Sequence, residues 1–479
     1  MDTALWKAGS LPRECDLAIV GGGFGGLTAM ARALQQHCGW RILVLERYPR
    51  SGPGIAYGGC DSHHLLNVPA SRMGAFPEDP AAFHSWLERT QPGRFAPSDF
   101  VPRALFAAYM DEVVGDALAS VGGSAPTAVG ASARLPPPTF AQHVLVRAEP
   151  IMRHVDLLFG SGDAVRAGAL LMAPGLPAAR APWHAFDEEV PLDLLAPDPW
   201  AANALQGIAP DAPVVIVGSG LTAIDIVSAL RRRGHSGRIT LLSRSGRLPL
   251  PHADGAATNA EYDRALLARG AREALRTVRK AAKELRARNL PWQGALDGLR
   301  ALTTPVWSSW STKERMRFMT HLRPFWEIHR HRAPRVLLDD LAAQQRSGSL
   351  VIVRGSVRSL RCGPQGVIVT VNSGSGLRTD LPAARVINCA GPAQGVRNTV
   401  DPLISSLLQS GVATTDDLGI GLHTDIDGRL IGNEGKAQER IYLVGALRRG
   451  DLWESTAVPE LRMQVAKAVD GIAALLRQA

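Results

Sequence analysis

Two glycine-rich hexads each stand directly behind a short apolar run, and their spacing suits the binding of a pyrophosphate. The first is Gly21-Gly22-Gly23-Phe24-Gly25-Gly26, after Leu17-Ala18-Ile19-Val20. It fits the pattern G-x-G-x-x-G. There the first glycine permits a tight turn, the second lets backbone approach the phosphates, and the third lets helix pack on strand. Leu27, Met30, Ala31 and Leu34 follow with helical spacing, so the phosphates would meet free N–H groups at the positive end of a helix. A second apolar run, Ile42 to Leu45, leads to Glu46, twenty residues beyond Gly26. A carboxylate there accepts hydrogen bonds from an adenosine ribose. A lone glycine turn occurs in unrelated α/β domains. Strand, turn, helix, strand and acid in register predict instead a dinucleotide site on Gly21, Gly23, Phe24, Gly25, Gly26 and Glu46.

The second hexad, Gly218-Ser219-Gly220-Leu221-Thr222-Ala223, is the G-x-G-x-x-A form and follows Val214 to Val217. Twenty residues after Ala223 comes Ser243, then Arg244, Ser245, Gly246 and Arg247. No acid occupies the ribose position. A carboxylate would repel a 2′-phosphate, whereas hydroxyls and guanidinium groups bind one. Gly218, Gly220, Leu221, Thr222, Ala223, Ser243, Arg244 and Arg247 therefore read as an NADPH site. Two dinucleotide units in one chain imply electron transfer between two cofactors. The first unit is the expected FAD site, and the second brings NADPH to it.

The elements that must position these residues follow from hydrophobic periodicity. Strand patterns occur at 17–20, 42–45, 154–159, 164–172, 214–217, 239–242, 350–353, 367–371, 385–389 and 441–444, and helical patterns at 221–233 and 459–476. A Pro- and Ala-rich link spans 174–199, and a helical, Arg-rich insertion covers about 257–345. The expected fold is α/β, with two doubly wound Rossmann-like nucleotide-binding domains. Residues 1–180 and 381–479 would form an FAD domain, split by an NADPH domain at 181–380 that carries the helical insertion.

Composition narrows the function classes. The 479 residues are 46% hydrophobic and 20% charged, as in an ordinary globular protein. Net charge is +9, but aromatics are only 5% and no basic, aromatic-interleaved tract is present, which argues against nucleic-acid binding. The basic stretch Arg264 to Arg288 has helical spacing and reads as a solvated face. No run is long and apolar enough for a membrane span, and no secretory signal is visible at the N-terminus. Five scattered cysteines (Cys15, Cys38, Cys60, Cys362 and Cys389) form no CxxC, so a disulfide framework, a redox pair and a zinc knuckle are not expected. A cytoplasmic protein fits. In Arg323-Pro324-Phe325-Trp326-Glu327-Ile328-His329-Arg330-His331-Arg332, alternating His and Arg could hold an anion or pack a helix end. A metal is not expected, because arginines repel cations and no carboxylate or cysteine stands at ligand spacing.

The chain resembles the two-dinucleotide-binding flavoproteins: flavin-containing monooxygenases, ornithine and lysine N-hydroxylases and Baeyer–Villiger enzymes. It is most similar to a bacterial family of FAD/NAD(P)-binding proteins. The resemblance covers nearly the whole chain and rests on GGGFGG, GPGIAYG (52–58), LLNVPASRM (65–73), GSGLTAID, FWEIHRHRAP (325–334), VINCAGP and WESTAVPE. It implies that Arg47 to Tyr57 passes the adenine and pyrophosphate, and that Gly391 and Gly445 lie at cofactor. It also implies that the start of the last helix, with Glu454, Thr456 and Ala457, faces the flavin. Flavin-containing monooxygenases place an asparagine beside the flavin, with methionine six residues on and a Phe-Pro soon after. Asn67, Met73, Phe76 and Pro77 match that order, with the Phe-Pro displaced by one position. Asn67 is thus the expected catalytic residue, an amide able to donate to a flavin hydroperoxide or hold a carboxamide.

The chain also departs from those relatives. F-x-G-x-x-x-H is missing, A-T-G appears as Ala173-Pro174-Gly175, and the usual Gly-Asp reads Gly445-Ala446. The resemblance implies an NADPH-using monooxygenase that adds oxygen from O₂ to a small nucleophile, with an amine as first candidate. Two rivals are a flavin dehydrogenase or reductase without oxygen insertion, and a cofactor-retaining sensor or binding protein. Oligomeric state is not legible.

Overall fold

β-branched and leucine-rich runs that are too short for helices pair into two parallel sheets. The computed structural model describes residues 6, 10–36, 39–48, 53–58, 61, 63–122, 136–175, 181, 183, 190–255, 258–364, 366–373, 376–391, 395–397 and 399–478. Gly52, Cys38 and Cys60 lie outside the described residues. The chain divides into two units. One comprises Met1–Pro177, Thr303–Thr312 and Gln394–Ala479, and the other Ala178–Leu302 and Lys313–Ala393.

In the first unit, Ala437–Leu443, Ala164–Met172, Glu14–Val20, Ile42–Leu45 and Thr139–Ala141 lie side by side in parallel. Leu145–Ile151 and His154–Phe159 extend the sheet antiparallel beyond Ala164–Met172, as the hairpin pattern at 154–172 predicts. Parallel strands are buried on both faces, so they read as unbroken apolar runs. Helices Phe24–Gln36, Arg103–Gly122 and Val458–Leu476 cover one face, packing Leu27, Met30, Leu34, Val114, Val465, Val469 and Ile472 on Leu17, Ile19 and Val44. On the other face Ala18, Leu43, Leu170 and Met172 pack with Leu403, Ile404 and Leu407 of helix Pro402–Gln409.

The second unit has a five-stranded all-parallel sheet in the order Leu350–Arg354, Ile239–Ser243, Val214–Val217, Arg385–Asn388, Leu195–Ala196. A three-stranded antiparallel sheet, Ser356–Gly363, Gly366–Asn372 and Arg378–Ala383, belongs to it. Helix Leu221–Arg232 packs Ile224, Val227 and Leu230 on Val214, Ile216 and Leu241.

Two boundaries differ from the sequence expectation. Strand Arg385–Asn388, expected to open the final FAD segment, pairs with Val214–Val217 inside the second unit, and Gly391 goes with it. A four-residue apolar run carries no mark of the sheet it joins; only long-range pairing decides that. The helical insertion is also not one body. Its residues Thr303–Thr312 belong to the first unit, where the Trp307 indole N–H donates to the Gly450 carbonyl at 2.7 Å.

Candidate dinucleotide sites

The three glycines of the first loop that fit the pattern, Gly21, Gly23 and Gly26, have different physical reasons. Gly21 has φ +111°, and a Cβ there would lie 2.2 Å from the Ala173 carbonyl oxygen. A Cβ on Gly26 would lie 1.9 Å from the Gly21 carbonyl oxygen. Turn and packing thus account for these two. Gly23 is otherwise: the nearest atoms to its Cβ position are backbone of Gly54 and Pro53 at 3.8 and 3.9 Å, ordinary contact distances. Nothing among the described residues forbids a side chain there. A cradle kept free at a helix start is what a pyrophosphate needs. The first intrahelical bond runs from Leu27 N–H to Gly23 carbonyl, leaving the N–H groups of Phe24, Gly25 and Gly26 at the helix end. Glu46 accepts from Gly22 N–H at 2.8 Å and Tyr48 N–H at 3.1 Å, so the acid is held against the loop. Gly54, within the GPGIAYG motif, has a packing role that its spacing does not reveal. At φ +85° it crosses so near that its own Cβ would be 2.9 Å from Gly23 Cα.

Phe24, Tyr57, Met73 and Val458 come together in one apolar cluster built on Leu66, Ala70, Phe83, Phe106 and Tyr109. Residues 64–73 are pinned to residues 97–103 by backbone bonds, among them Leu66 N–H to Val101 carbonyl and Ala70 N–H to Asp99 carbonyl. Asn67 sits on this segment, half-buried, and its amide has no hydrogen-bond partner among the described residues. Arg47 ion-pairs with Asp401 at 3.0 Å, and Asp401 caps the helix at Pro402, so this guanidinium has a structural task.

The last helix ties the remaining parts together. Arg462 donates to the Arg72 and Gly74 carbonyls. Gln464 accepts from Gly445 N–H at 3.0 Å and donates to the Ser455 carbonyl at 3.3 Å. The Ser455 hydroxyl is buried and has no hydrogen-bond partner among the described residues, just ahead of the helix start at Val458. Ala457 precedes that helix with no side-chain cap, and Thr456 beside it is exposed. An orphaned hydroxyl and uncapped N–H groups fit a ligand rich in acceptors, such as a flavin. Glu454 N–H donates to the Leu452 carbonyl at 2.9 Å, closing a three-residue turn on Trp453 at φ +62°, ψ −61°. This is a strained geometry for a side-chain-bearing residue. Stacking of Trp453 on Trp307, ring centroids 4.9 Å apart, and Arg449 at 4.8 Å over the ring hold it. Sequence reading had no signal for it.

The second loop repeats the logic of the first. Gly218 has φ +125°, and its Cβ would meet the Cys389 carbonyl oxygen at 2.1 Å. Gly220 has nothing within 4 Å of its Cβ position. Ala223 is fully buried where the helix meets the sheet, while Leu221 and Thr222 open the helix half-exposed. Gly391 has φ +85° and open space around it. It lies beside this loop, not in the unit of the first. Ser219, the unassigned middle residue, is buried. Its hydroxyl lies 2.8 Å from Ser243 Oγ and 2.7 Å from the Arg247 carbonyl. Ser243 Oγ also accepts from Gly246 N–H at 3.0 Å. Arg247 lies 4.3 Å over the Phe325 ring. The His/Arg-rich segment thus borders this loop: Leu250 N–H donates to the Ile328 carbonyl, and Pro251 bridges Ala333. Among the described residues no cluster could hold a metal, and no helix is long and apolar enough to cross a membrane.

Residues 18–133 match the model of a family described as FAD-NAD(P)-binding. That segment is an FAD/NAD(P)-binding domain. A sequence comparison with curated proteins gives no match. Solved structures show the fold over the whole chain. An ornithine N-hydroxylase from Kutzneria sp. 744, holding reduced FAD, NADP⁺ and L-ornithine, is similar at TM-score 0.65 and 15% identity, over 97% of this chain and 100% of that one. Reduced ornithine hydroxylase from Pseudomonas aeruginosa gives TM-score 0.63 and 16% identity over 96% and 99%. Bacillithiol disulfide reductase from Staphylococcus aureus gives TM-score 0.55 and 12% identity over 97% and 99%. The solved structures thus give the fold, and the family model gives the cofactor class.

Proposed function

We propose that the protein is an NADPH-using, FAD-dependent monooxygenase that oxygenates a small nucleophile, an amine first. The reading rests on one observation above others: each unit holds a loop whose middle glycine, Gly23 or Gly220, is needed by no contact among the described residues. Two such loops suit two dinucleotides. The carboxylate of Glu46 beside the first and the hydroxyl and guanidinium groups beside the second suit FAD and NADPH respectively. Bound FAD would supply the redox chemistry, taking a hydride from NADPH and passing the electron pair to O₂, so that one oxygen enters the substrate and the other leaves as water.

The chain's own residues place and shield. Leu66, Ala70 and Met73 exclude water, and the Asn67 amide is a neutral donor with no hydrogen-bond partner among the described residues. Gly445 and Ser455, both fixed by Gln464, offer polar groups at the helix start. The likeness to hydroxylases of ornithine supports the amine.

A dehydrogenase or reductase without oxygen insertion is the second reading, supported by the likeness to bacillithiol disulfide reductase. A dithiol mechanism fits poorly with the described cysteines. Burial pushes the Cys15 thiol up to about 12 and raises Cys389 far above its ordinary range. Isotopically labelled O₂ decides between the readings. With a substrate that stimulates NADPH use, one labelled atom in the product is expected. NADPH consumption with unlabelled product would overturn the oxygenase.

A further inference from the structure

We infer that Arg354 is a third guanidinium ligand of the NADPH 2′-phosphate, delivered by a neighbouring strand, and that it sets the preference for NADPH over NADH together with Arg244 and Arg247. The inference rests on the nicotinamide part of the function proposed above. It does not depend on oxygen chemistry.

Arg354 stands 107 positions after Arg247 in sequence, yet parallel register pairs it with Ser243 at the carboxyl end of the sheet. Gly355 N–H donates to the Ser243 carbonyl at 3.0 Å and locks that register. The loop after Ser243 then folds onto the arginine. Gly246 has φ +63°, and its Cβ position lies 3.1 Å from Arg354 Cβ and 3.6 Å from Cγ. The aliphatic stem of Arg354 is thus packed on the loop while its residue as a whole remains exposed, the arrangement of a long cation that buries its methylenes and presents its head.

Three arginines therefore stand on or against one turn, Arg244 and Arg247 within it and Arg354 packed on Gly246. Arg247 is steadied by the Phe325 ring. None of Arg244, Arg247 and Arg354 has a carboxylate partner among the described residues, whereas the nearby Arg335 is paired with Asp254 and Arg332 with Asp297. Like charges gathered without counter-ions repel one another. A dianion among them relieves that repulsion and takes up forked donors. Buried Ser219 and half-buried Ser243 add a hydroxyl pair that fixes the loop's distance from the glycine turn. A 2′-phosphate on an adenosine whose pyrophosphate lies at Gly220 is the anion that suits this place. Sequence reading stops at Arg247 because the third arginine is adjacent only through strand pairing.

The test uses the full-length flavoprotein and two fragments as probes, 2′,5′-ADP and ADP, in calorimetric titrations of wild type, Arg354→Ala and Arg354→Lys. Wild type should bind 2′,5′-ADP more tightly than ADP. Arg354→Ala should weaken 2′,5′-ADP by about ten- to a hundred-fold and leave ADP within about two-fold, with Arg354→Lys in between. Unchanged 2′,5′-ADP affinity in Arg354→Ala, with wild type still preferring that probe, would overturn the role of Arg354 while leaving the NADPH reading intact. Equal losses for both probes would also overturn it, by showing a structural effect. Absence of any preference in wild type would overturn the NADPH reading and this inference with it.

Discussion

The two glycine loops share a backbone and differ in what surrounds it. In each, the first glycine is pressed against the carbonyl of the residue that follows a neighbouring strand: Gly21 against Ala173, Gly218 against Cys389. In each, a glycine two residues past that carbonyl, Gly175 or Gly391, takes positive φ in open space. Ala173-Pro174-Gly175 and Cys389-Ala390-Gly391 are thus equivalent pieces of two copies of one device. The differences lie at the ribose end. Glu46 folds back to hold Gly22 and Tyr48 amides, whereas Ser243 is held by Ser219 and Gly246 among arginines. In the function proposed here, one fold binds two dinucleotides and residues outside the loop choose the cofactor.

The hardest way to break the comparison is through the first glycines. Gly21→Ala and Gly218→Ala each drive a Cβ into a carbonyl at positive φ, and each should cost roughly 3 kcal/mol or more of stability. Thermal unfolding should show the loss in both. The middle glycines should behave oppositely. Gly23→Asp should leave a folded protein that releases no FAD on denaturation, because the carboxylate faces the pyrophosphate. A folded Gly23→Asp variant with full flavin would refute the assignment. Gly220→Ala should keep flavin and melting temperature but lose affinity for NADPH.

The comparison sharpens at the ribose end. Arg244→Ala should raise the apparent KM for NADPH by about ten- to a hundred-fold, the loss of one charge-assisted contact, and leave NADH nearly unchanged. Equal losses would remove Arg244 from the phosphate site. The smallest effect is expected beside the first loop alone. Asn67→Asp is nearly isosteric, so FAD should stay while H₂O₂ release per NADPH rises by a few-fold, read from a peroxidase-coupled assay. An unchanged yield would leave Asn67 without its proposed role.

Both fingerprints and the strands flanking them were legible because they are local: an apolar run, glycines at fixed offsets, then helical spacing. Val214–Val217 and the helix at Leu221 fall where periodicity puts them. What escaped reading is settled by pairing at long range. Arg385–Asn388 is apolar enough for either sheet and joins the second. Thr303–Thr312 belongs to the first unit through Trp307, which helical spacing cannot reveal. The partner of Gly23, Gly54, and the partner of Ser243, Arg354, are neighbours only in space. Trp453 takes a strained turn that no residue preference announces.

The central claim is that the second loop brings NADPH to a flavin held by the first. Anaerobic mixing of the purified protein with NADPH or NADH, followed by flavin absorbance, tests it most directly. NADPH should bleach the flavin completely, and NADH should do so about ten- to a hundred-fold more slowly at equal concentration. No bleaching by either nucleotide, or equal rates with both, would contradict the account.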